Sequence, residues 1–307
     1  MGLKTVVRIG TLSLDNPVMP ASGTFGFGRE MAAIWDVRRL GAIVSKGVTP
    51  LPREGNDAPR VAESASGMLN SVGLQNPGIA AFLSAQLPFM LSLGIPVVVN
   101  AAGHCIDDYV EICTRLDTTE VSVIELNLSC PNVRAGCMSI GTDPNQVLAV
   151  VRAARNVTRK PLWVKLTPNV TSIVDIALAA QEAGADALSL INTLLGMQID
   201  IRTRRPLLAN NTGGLSGPAV KPIAIRMVNE VSRAVRIPVI GMGGIQNGED
   251  AVEFLMAGAT AVQVGTANLI KPTACLDIIK EIEKFMMDNG IENINEIIGA
   301  ARRWGDK

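Results

Sequence analysis

One loop in the middle of the chain carries the residues best suited to acid–base chemistry. Cys130 follows a short apolar run within the sequence NLSCPN (residues 127–132), and Cys137 lies a few residues further on. Pro131 prevents a helix from starting there, so the thiol can face the end of that run. A buried free cysteine is usually an inert packing residue, whereas a thiol among polar loop residues is a candidate for reactivity. The pattern favours Cys130 as a base, with Cys137 as the rival candidate.

Other candidates for this chemistry are weaker. The single histidine, His104, follows Ala-Ala-Gly at the start of a helical pattern, where a capping or surface role is the favoured interpretation. Cys105, Cys113 and Cys275 fall on helical patterns and are predicted to lie in the core. The five cysteines form no C-x-x-C pair, which favours a reduced, cytoplasmic setting and predicts no metal site.

Polar residues and a glycine recur at or just past the ends of successive apolar runs. They are Ser22, Lys46, Asn100, Asn127, Lys165, Asn192 and Gly265. Any one of them could cap the following helix, but a barrel of parallel strands would bring the whole set to one mouth. Carboxamides match the alternating N–H and C=O edge of a pyrimidine or flavin ring, and lysines suit an anionic substrate. The set therefore indicates a planar, amide-rich ligand.

Two glycine-bearing turns, residues 241–245 (GMGGI) and 265–268 (GTAN), follow the last two strand-like runs. Barrels often seat a phosphate at the seventh and eighth loops, on backbone N–H groups. Glycine lets the backbone approach such a group closely. Gln246 stands where a dinucleotide fingerprint has its third glycine, so the sequence predicts a phosphate site but does not support NAD binding by this chain.

Eight short apolar runs predict the strands that position these residues. They cover residues 18–22, 42–46, 96–100, 123–128, 162–166, 187–191, 238–241 and 261–265. A hairpin is predicted before them at residues 6–17, and helices lie between most of them, for instance at 143–156 and 172–183. Eight such units with right-handed crossovers predict an α/β fold, a (β/α)8 TIM barrel. The alternative is an open doubly wound sheet, whose switch point the sequence does not show.

Two connections after predicted strands, residues 48–78 and 194–217, are unusually long. Long ordered loops in compact domains tend to be functional, and in a barrel these would border the active site. No low-complexity linker interrupts the chain, and α/β barrels commonly exceed 250 residues as one domain. Residues 1–307 are therefore expected to form a single domain.

Bulk composition excludes several kinds of partner. The 28 Lys and Arg residues balance the 28 Asp and Glu residues, so no net charge attracts nucleic acid or an anionic membrane. No stretch of about 18 uninterrupted apolar residues occurs, and the N-terminus lacks the apolar core of a signal peptide. We expect no nucleic-acid partner and no membrane anchor.

Nine segments, in the same order, resemble those of class 1 dihydroorotate dehydrogenases over nearly the whole chain. They are residues 20–26, 45–46, 70–78, 125–132, 164–169, 191–193, 213–218, 241–244 and 264–266. Residues 141–144 (GTDP) and 208–217 (LANNTGGLSG) are similar to the catalytic subunit of the NAD-dependent class 1B type. Class 2 members, which use a serine base and an N-terminal membrane segment, are less similar.

The resemblance implies a role for each matched position. Cys130 matches the catalytic base, in agreement with the preference from the residues. Positions matching FMN-binding residues are Ser22, Lys46, Gly47, Asn100, Asn127, Lys165, Ile191, Gly217, Gly243, Gly244, Gly265 and Thr266. Positions matching dihydroorotate-binding residues are Lys46, Asn70, Ser71, Val72, Gly73, Leu74, Asn127, Asn192 and Thr193. Two positions depart from the family: Gly47 stands where Ala or Thr is frequent, and Cys137 where Gly is common.

The activity implied by the resemblance is FMN-dependent oxidation of dihydroorotate to orotate in de novo pyrimidine biosynthesis. Cys130 would remove the C5 proton while a hydride leaves C6 for FMN. Lys46 would hold the substrate carboxylate, and Lys165 would stabilise the reduced flavin. A partner subunit with FAD and a [2Fe-2S] cluster, docked on a homodimer core in a heterotetramer, would pass the electrons to NAD.

Three other functions remain open from the sequence. They are a class 1A-type enzyme that uses fumarate, a flavin barrel that resembles dihydropyrimidine dehydrogenase, and a non-catalytic phosphate-binding barrel. The last would explain the glycine turns but not the cysteine, lysines and asparagines together.

Overall fold

Eight parallel strands form the centre of the computed structural model, which describes residues 2–128, 140–302 and 304. The strands of these residues are, in chain order, β1 (Val7–Ile9), β2 (Leu12–Leu14), β3 (Val18–Pro20), β4 (Ile43–Val44), β5 (Val61–Ser64), β6 (Gly67–Asn70), β7 (Val97–Ala102), β8 (Val123–Asn127), β9 (Leu162–Lys165), β10 (Ala187–Leu190), β11 (Leu194–Gly196), β12 (Ile199–Asp200), β13 (Arg205–Pro206), β14 (Gly213–Ser216), β15 (Val239–Met242) and β16 (Ala261–Val264).

The central sheet closes almost completely into a barrel. Its strand order is β3-β16-β15-β10-β9-β8-β7-β4, and each neighbouring pair is parallel. At the seam, the N–H of Gly41, just before β4, donates to the carbonyl oxygen of Val18 in β3 over 3.0 Å. All residues of β7 and β8 are buried, as expected for strands that are covered on both faces. The predicted eight strands and the (β/α)8 barrel are confirmed.

Amphipathic helices cover the outside of the barrel. Those of the described residues are α1 (Arg29–Ala32), α2 (Gly78–Ala81), α3 (Leu87–Ser92), α4 (Ile106–Asp117), α5 (Pro144–Val157), α6 (Ile173–Glu182), α7 (Lys221–Ala234), α8 (Gly248–Met256), α9 (Ala267–Ile270) and α10 (Ala274–Asp288). The predicted start signals act as caps: the Asp143 side chain accepts from the N–H of Asn145 over 2.9 Å, and Ser172 caps α6 in the same way. Both predicted helices are confirmed within a residue or two.

Outside the barrel, the predicted N-terminal hairpin is confirmed as the antiparallel pair β1 and β2. The two long connections are not structureless: they supply four antiparallel strands in the order β11-β14-β6-β5, which we call the roof sheet. A smaller antiparallel pair, β12 and β13, follows β11. Glycine is required in the roof sheet, because a Cβ on Gly214 would lie 2.0 Å from Thr193 Oγ1.

Candidate active site

A cavity of about 240 Å³ lies between the carboxyl ends of the barrel strands and the roof sheet. Its lining includes every position predicted to bind the cofactor, namely Ser22, Lys46, Gly47, Asn100, Asn127, Lys165, Ile191, Gly217, Gly243, Gly244, Gly265 and Thr266. These residues come from almost the full length of the chain, and the barrel brings them together as the strand-end argument predicts.

Most positions predicted to bind the substrate lie in the same cavity. The lining includes Lys46, Asn70, Val72, Gly73, Leu74, Asn127, Asn192 and Thr193. Ser71 lies between two of them but is fully buried and outside the lining. Cys130 and its rival Cys137 lie outside the described residues.

Lys165 is the more deeply buried of two lysines in the lining, with 4% of the residue exposed. Its Nζ donates to Ser22 Oγ over 3.0 Å, which connects β9 to the end of β3. Burial lowers the pKa of Lys165, and the negative charge of Glu125 partly opposes that effect. A buried ammonium held in this way is a strong local source of positive potential.

Lys46 lies at the end of β4 and is partly exposed to the cavity. Burial, with a smaller contribution from the positive charge of Arg60, lowers its pKa below the ordinary lysine value. Arg60 is held by Gln75, whose Oε1 accepts from Nη2 over 2.7 Å. The cavity thus has a cationic side suited to a carboxylate.

Two carboxamides of the lining are linked to each other. Asn127 Nδ2 donates to Asn100 Oδ1 over 3.2 Å, and Asn100 Nδ2 donates to Glu125 Oε1 over 2.7 Å. A third, Asn70 of β6, donates to the carbonyl oxygen of Gly214 across the roof sheet over 3.3 Å. Carboxamides fixed in this way can present defined donors and acceptors to a planar ring.

Glycines form part of the cavity lining. Gly217, Gly243 and Gly244 all have positive φ, a conformation that L side chains rarely adopt. A Cβ on Gly244 would lie 2.7 Å from Lys221 Cβ, and one on Gly217 would lie 2.8 Å from Gly67 Cα. The backbone of these turns therefore lines the cavity directly, as a phosphate cradle requires.

Gly47 lies close to two side chains of the lining. A Cβ there would lie 3.1 Å from Asn100 Oδ1 and 3.3 Å from Leu74 Cδ2, which is tighter than an ordinary van der Waals contact. In this chain, glycine lets the Asn100 carboxamide and the Leu74 side chain approach the strand end closely.

Several lining residues were not predicted from the sequence. Ser216 of β14 accepts a hydrogen bond from Thr266 Oγ1 over 2.8 Å and so links the roof sheet to the loop that follows β16. Met68 and Leu215 contribute apolar lining from the same sheet. The glycine-rich sequence of β14 gave no strand signal, so only its place within the family segment 213–218 pointed to Ser216.

The four residues discussed as weaker candidates, His104, Cys105, Cys113 and Cys275, lie away from the cavity lining. His104 contacts the Arg53 guanidinium, and its backbone N–H donates to Asp108 Oδ2 over 2.7 Å; the N-cap of α4 is Cys105 rather than His104. Cys113 and Cys275 are buried as predicted, but the expectation for Cys105 is wrong: it is exposed, because it is the N-cap residue of α4 rather than part of its inner face.

The described residues contain neither a group of metal-binding side chains nor a helix suited to a membrane. Within residues 2–128, 140–302 and 304, no three His, Cys, Asp or Glu side chains are grouped to hold a metal ion. No helix in the same part of the chain is long and apolar enough to cross a membrane.

Fold and site together define an α/β-barrel enzyme with its ligand cavity at the carboxyl ends of the strands. The family model described as dihydroorotate dehydrogenase matches residues 4–286, and the chain belongs to that family. The resemblance inferred from the sequence is thereby confirmed.

Similar proteins cover nearly the whole chain. The chain is 52% identical over 299 residues to a Bacillus pumilus protein, 54% identical over 295 residues to one from Geobacter metallireducens and 55% identical over 295 residues to one from Geobacter sulfurreducens. These matches span 96–97% of this chain and of each relative. Each relative is named dihydroorotate dehydrogenase B (NAD(+)), catalytic subunit.

Proposed function

We propose that this chain oxidises dihydroorotate to orotate with bound FMN, as a step of pyrimidine biosynthesis. The observation that carries the proposal is the convergence of all twelve predicted cofactor positions on one cavity. The relatives' names support the substrate, and the cationic and carboxamide lining suits an anionic pyrimidine. We also infer that residues 1–307 act as one domain and that the protein is cytoplasmic.

The lining fits FMN in two respects. The turns around Gly217, Gly243 and Gly244 line the cavity with backbone, and a Cβ on any of them would collide with neighbouring protein atoms, which matches a phosphate bound by backbone groups. Lys165 and the linked carboxamides of Asn100 and Asn127 match an electron-rich ring with alternating donors and acceptors. When bound there, FMN would supply an acceptor for the hydride that leaves C6 of the substrate.

The residues of the chain would divide the remaining work. Cys130, as the thiolate, would take the C5 proton of dihydroorotate. Lys46 would bind the substrate carboxylate, and Asn70, Asn127 and Asn192 would orient the ring. Lys165 would keep a fixed positive charge beside the ring that receives electrons, where the buried setting makes a charge more effective than in water.

FMN is expected to bind through its phosphate, which a glycine variant can test. Gly244→Ala should weaken FMN binding at least about tenfold, because the added Cβ would lie 2.7 Å from Lys221 Cβ and 2.9 Å from the Gly217 carbonyl oxygen. Gly290→Ala is the matched control: it also has positive φ, but a Cβ there meets nothing within 4 Å. Fluorescence titration with FMN and riboflavin measures both. Equal affinity of the wild type for the two flavins would contradict a phosphate site.

The electrons of reduced FMN must pass to another molecule, since the sequence of this chain offers neither a full dinucleotide fingerprint for NAD nor a cysteine cluster for an iron–sulfur centre. We propose that a second subunit with FAD and a [2Fe-2S] cluster receives them and reduces NAD. The relatives' description as a catalytic subunit supports a separate partner. A homodimer of this chain would form the core of a heterotetramer.

An assay of the isolated chain tests this partner. With dihydroorotate and NAD, we expect almost no NADH, whereas an artificial dye should be reduced rapidly. Co-expression with a flavin and iron–sulfur subunit should restore NADH formation. Rapid NADH production by the chain alone would refute the need for a partner. Reduction of fumarate would indicate a class 1A-type enzyme. Preferential turnover of dihydrouracil would show that the substrate is not dihydroorotate.

A further inference from the structure

A buried carboxylate lies beneath the cavity, at a position that the site predictions do not include. Glu125, in the middle of β8, is fully buried. Its carboxylate accepts three hydrogen bonds from other barrel strands, from Asn100 Nδ2 over 2.7 Å, Ser189 Oγ over 2.8 Å and Gln263 Nε2 over 2.9 Å. These donors are neutral, so they satisfy the oxygens without cancelling the charge.

Stability alone gives little reason to keep a charge at this place. Removing a carboxylate from water costs several kcal/mol, and neutral replacements of buried charges are often stable. The surrounding layer could accept a neutral amide, because Gln263 Oε1 has no hydrogen-bond partner in the structure. If the Gln263 amide turned over, that oxygen could accept from a glutamine at position 125. The charge therefore calls for a reason other than folding.

The first consequence of the charge is a fixed direction of hydrogen bonding towards the cavity. A carboxylate only accepts, so Asn100 must turn Nδ2 towards Glu125 and Oδ1 away from it. That Oδ1 accepts from Asn127 Nδ2, which fixes the orientation of the Asn127 amide in turn. Glu125 thus determines which way two carboxamides of the cavity lining face.

The second consequence concerns Lys165. This lysine lies on β9, the neighbour of β8 in the barrel, and burial disfavours its charged form. Glu125 is the charged group that acts on it in the described structure, and it raises the pKa of Lys165 against the effect of burial. Lys46, the other lysine of the lining, is itself a cation and therefore cannot help to keep Lys165 charged.

We propose that Glu125 is a positioning residue of this site: its carboxylate orients Asn100 and Asn127 and places a negative charge on the strand next to that of Lys165. It acts through these three residues, since Glu125 itself is not part of the cavity lining. The inference rests on the proposed function, because FMN and dihydroorotate are the ligands that the three residues would contact.

The test compares Glu125→Gln, which removes the charge at nearly constant shape, with Ser189→Ala, which removes one hydrogen bond and keeps the charge. The protonation of Lys165 is followed by NMR of ¹³C-labelled lysine in the full chain as purified, with Lys165→Met identifying its resonance. We expect Glu125→Gln to lower the proton affinity of Lys165 at least about tenfold and Ser189→Ala to change it less than about threefold.

A functional measurement accompanies these readouts. On the alkaline side of the pH profile, flavin reduction by dihydroorotate should begin to slow at a lower pH in Glu125→Gln than in the wild type. Unchanged Lys165 protonation in Glu125→Gln would overturn the proposal. So would a shift of the same size in Ser189→Ala, since the charge would then not be the cause, or a failure of Glu125→Gln to fold, since the charge would then serve folding. If wild-type flavin is not reduced by dihydroorotate while the Lys165 shift is seen, the proposed function fails and the positioning role remains.

Discussion

Cys130→Ala is expected to retain FMN and to slow flavin reduction by dihydroorotate about 10²- to 10⁴-fold, the usual contribution of a general base. The variant deletes the proton acceptor, while the cavity lining that would hold the flavin is unchanged. Stopped-flow absorbance of the oxidised flavin measures the rate, and the flavin spectrum of the purified variant reports its occupancy.

Other cysteines serve as controls for this result. Cys137→Ala should be mild, and near-wild-type reduction by Cys130→Ala combined with a severe loss in Cys137→Ala would show that the base is misassigned. Burial raises the pKa of both Cys113 and Cys275 to about 12, so neither thiol can supply a thiolate near neutral pH. Changes at these two positions should affect stability rather than proton transfer.

Lys165→Met should lower the limiting rate of flavin reduction about 10²- to 10³-fold, as removal of a preorganised charge at a reacting centre does elsewhere. The methionine fills a similar volume but removes the ammonium and its 3.0 Å hydrogen bond to Ser22 Oγ. Lys46→Met should instead raise mainly the concentration of dihydroorotate needed for half-maximal rate. Equal effects of the two variants on both parameters would contradict this division of roles.

The Lys165 charge also predicts the alkaline side of the pH profile. Its pKa is lowered by burial, so the ammonium is present at low pH and is lost at a pH below the ordinary lysine value. Wild-type flavin reduction should therefore decline on the alkaline side before an ordinary lysine would titrate. Lys165→Met should lack this decline, and its persistence in that variant would assign it to another group.

Much of the fold was predictable because the barrel strands are buried on both faces and read as continuous apolar runs. The site followed from the fold, since parallel strands carry the residues at their ends to one mouth. The roof sheet escaped prediction because β14 contains Gly213 and Gly214, which break the alternation that marks a strand. Its strands are defined by their partners in space rather than by their own residues.

The hydrogen-bonded layer of Glu125, Ser189 and Gln263 beneath the cavity was not predicted for a different reason. Glu125, Ser189 and Gln263 each interrupt an apolar run, and such an interruption is a signal that sequence analysis can use. What the sequence does not reveal is that the three side chains meet, because β8, β10 and β16 become neighbours across the barrel only through its curvature.

The pairing of β6 with β14 joins segments far apart in the chain, for example Asn70 with Gly214. Chimeras between family members that exchange only one of the two connections would place a foreign strand edge against a native one, with its hydrogen bonds and side-chain contacts unmatched. We therefore expect residues 61–70 and 194–216 to be exchangeable only together, and libraries that aim at new substrates should diversify both connections at once.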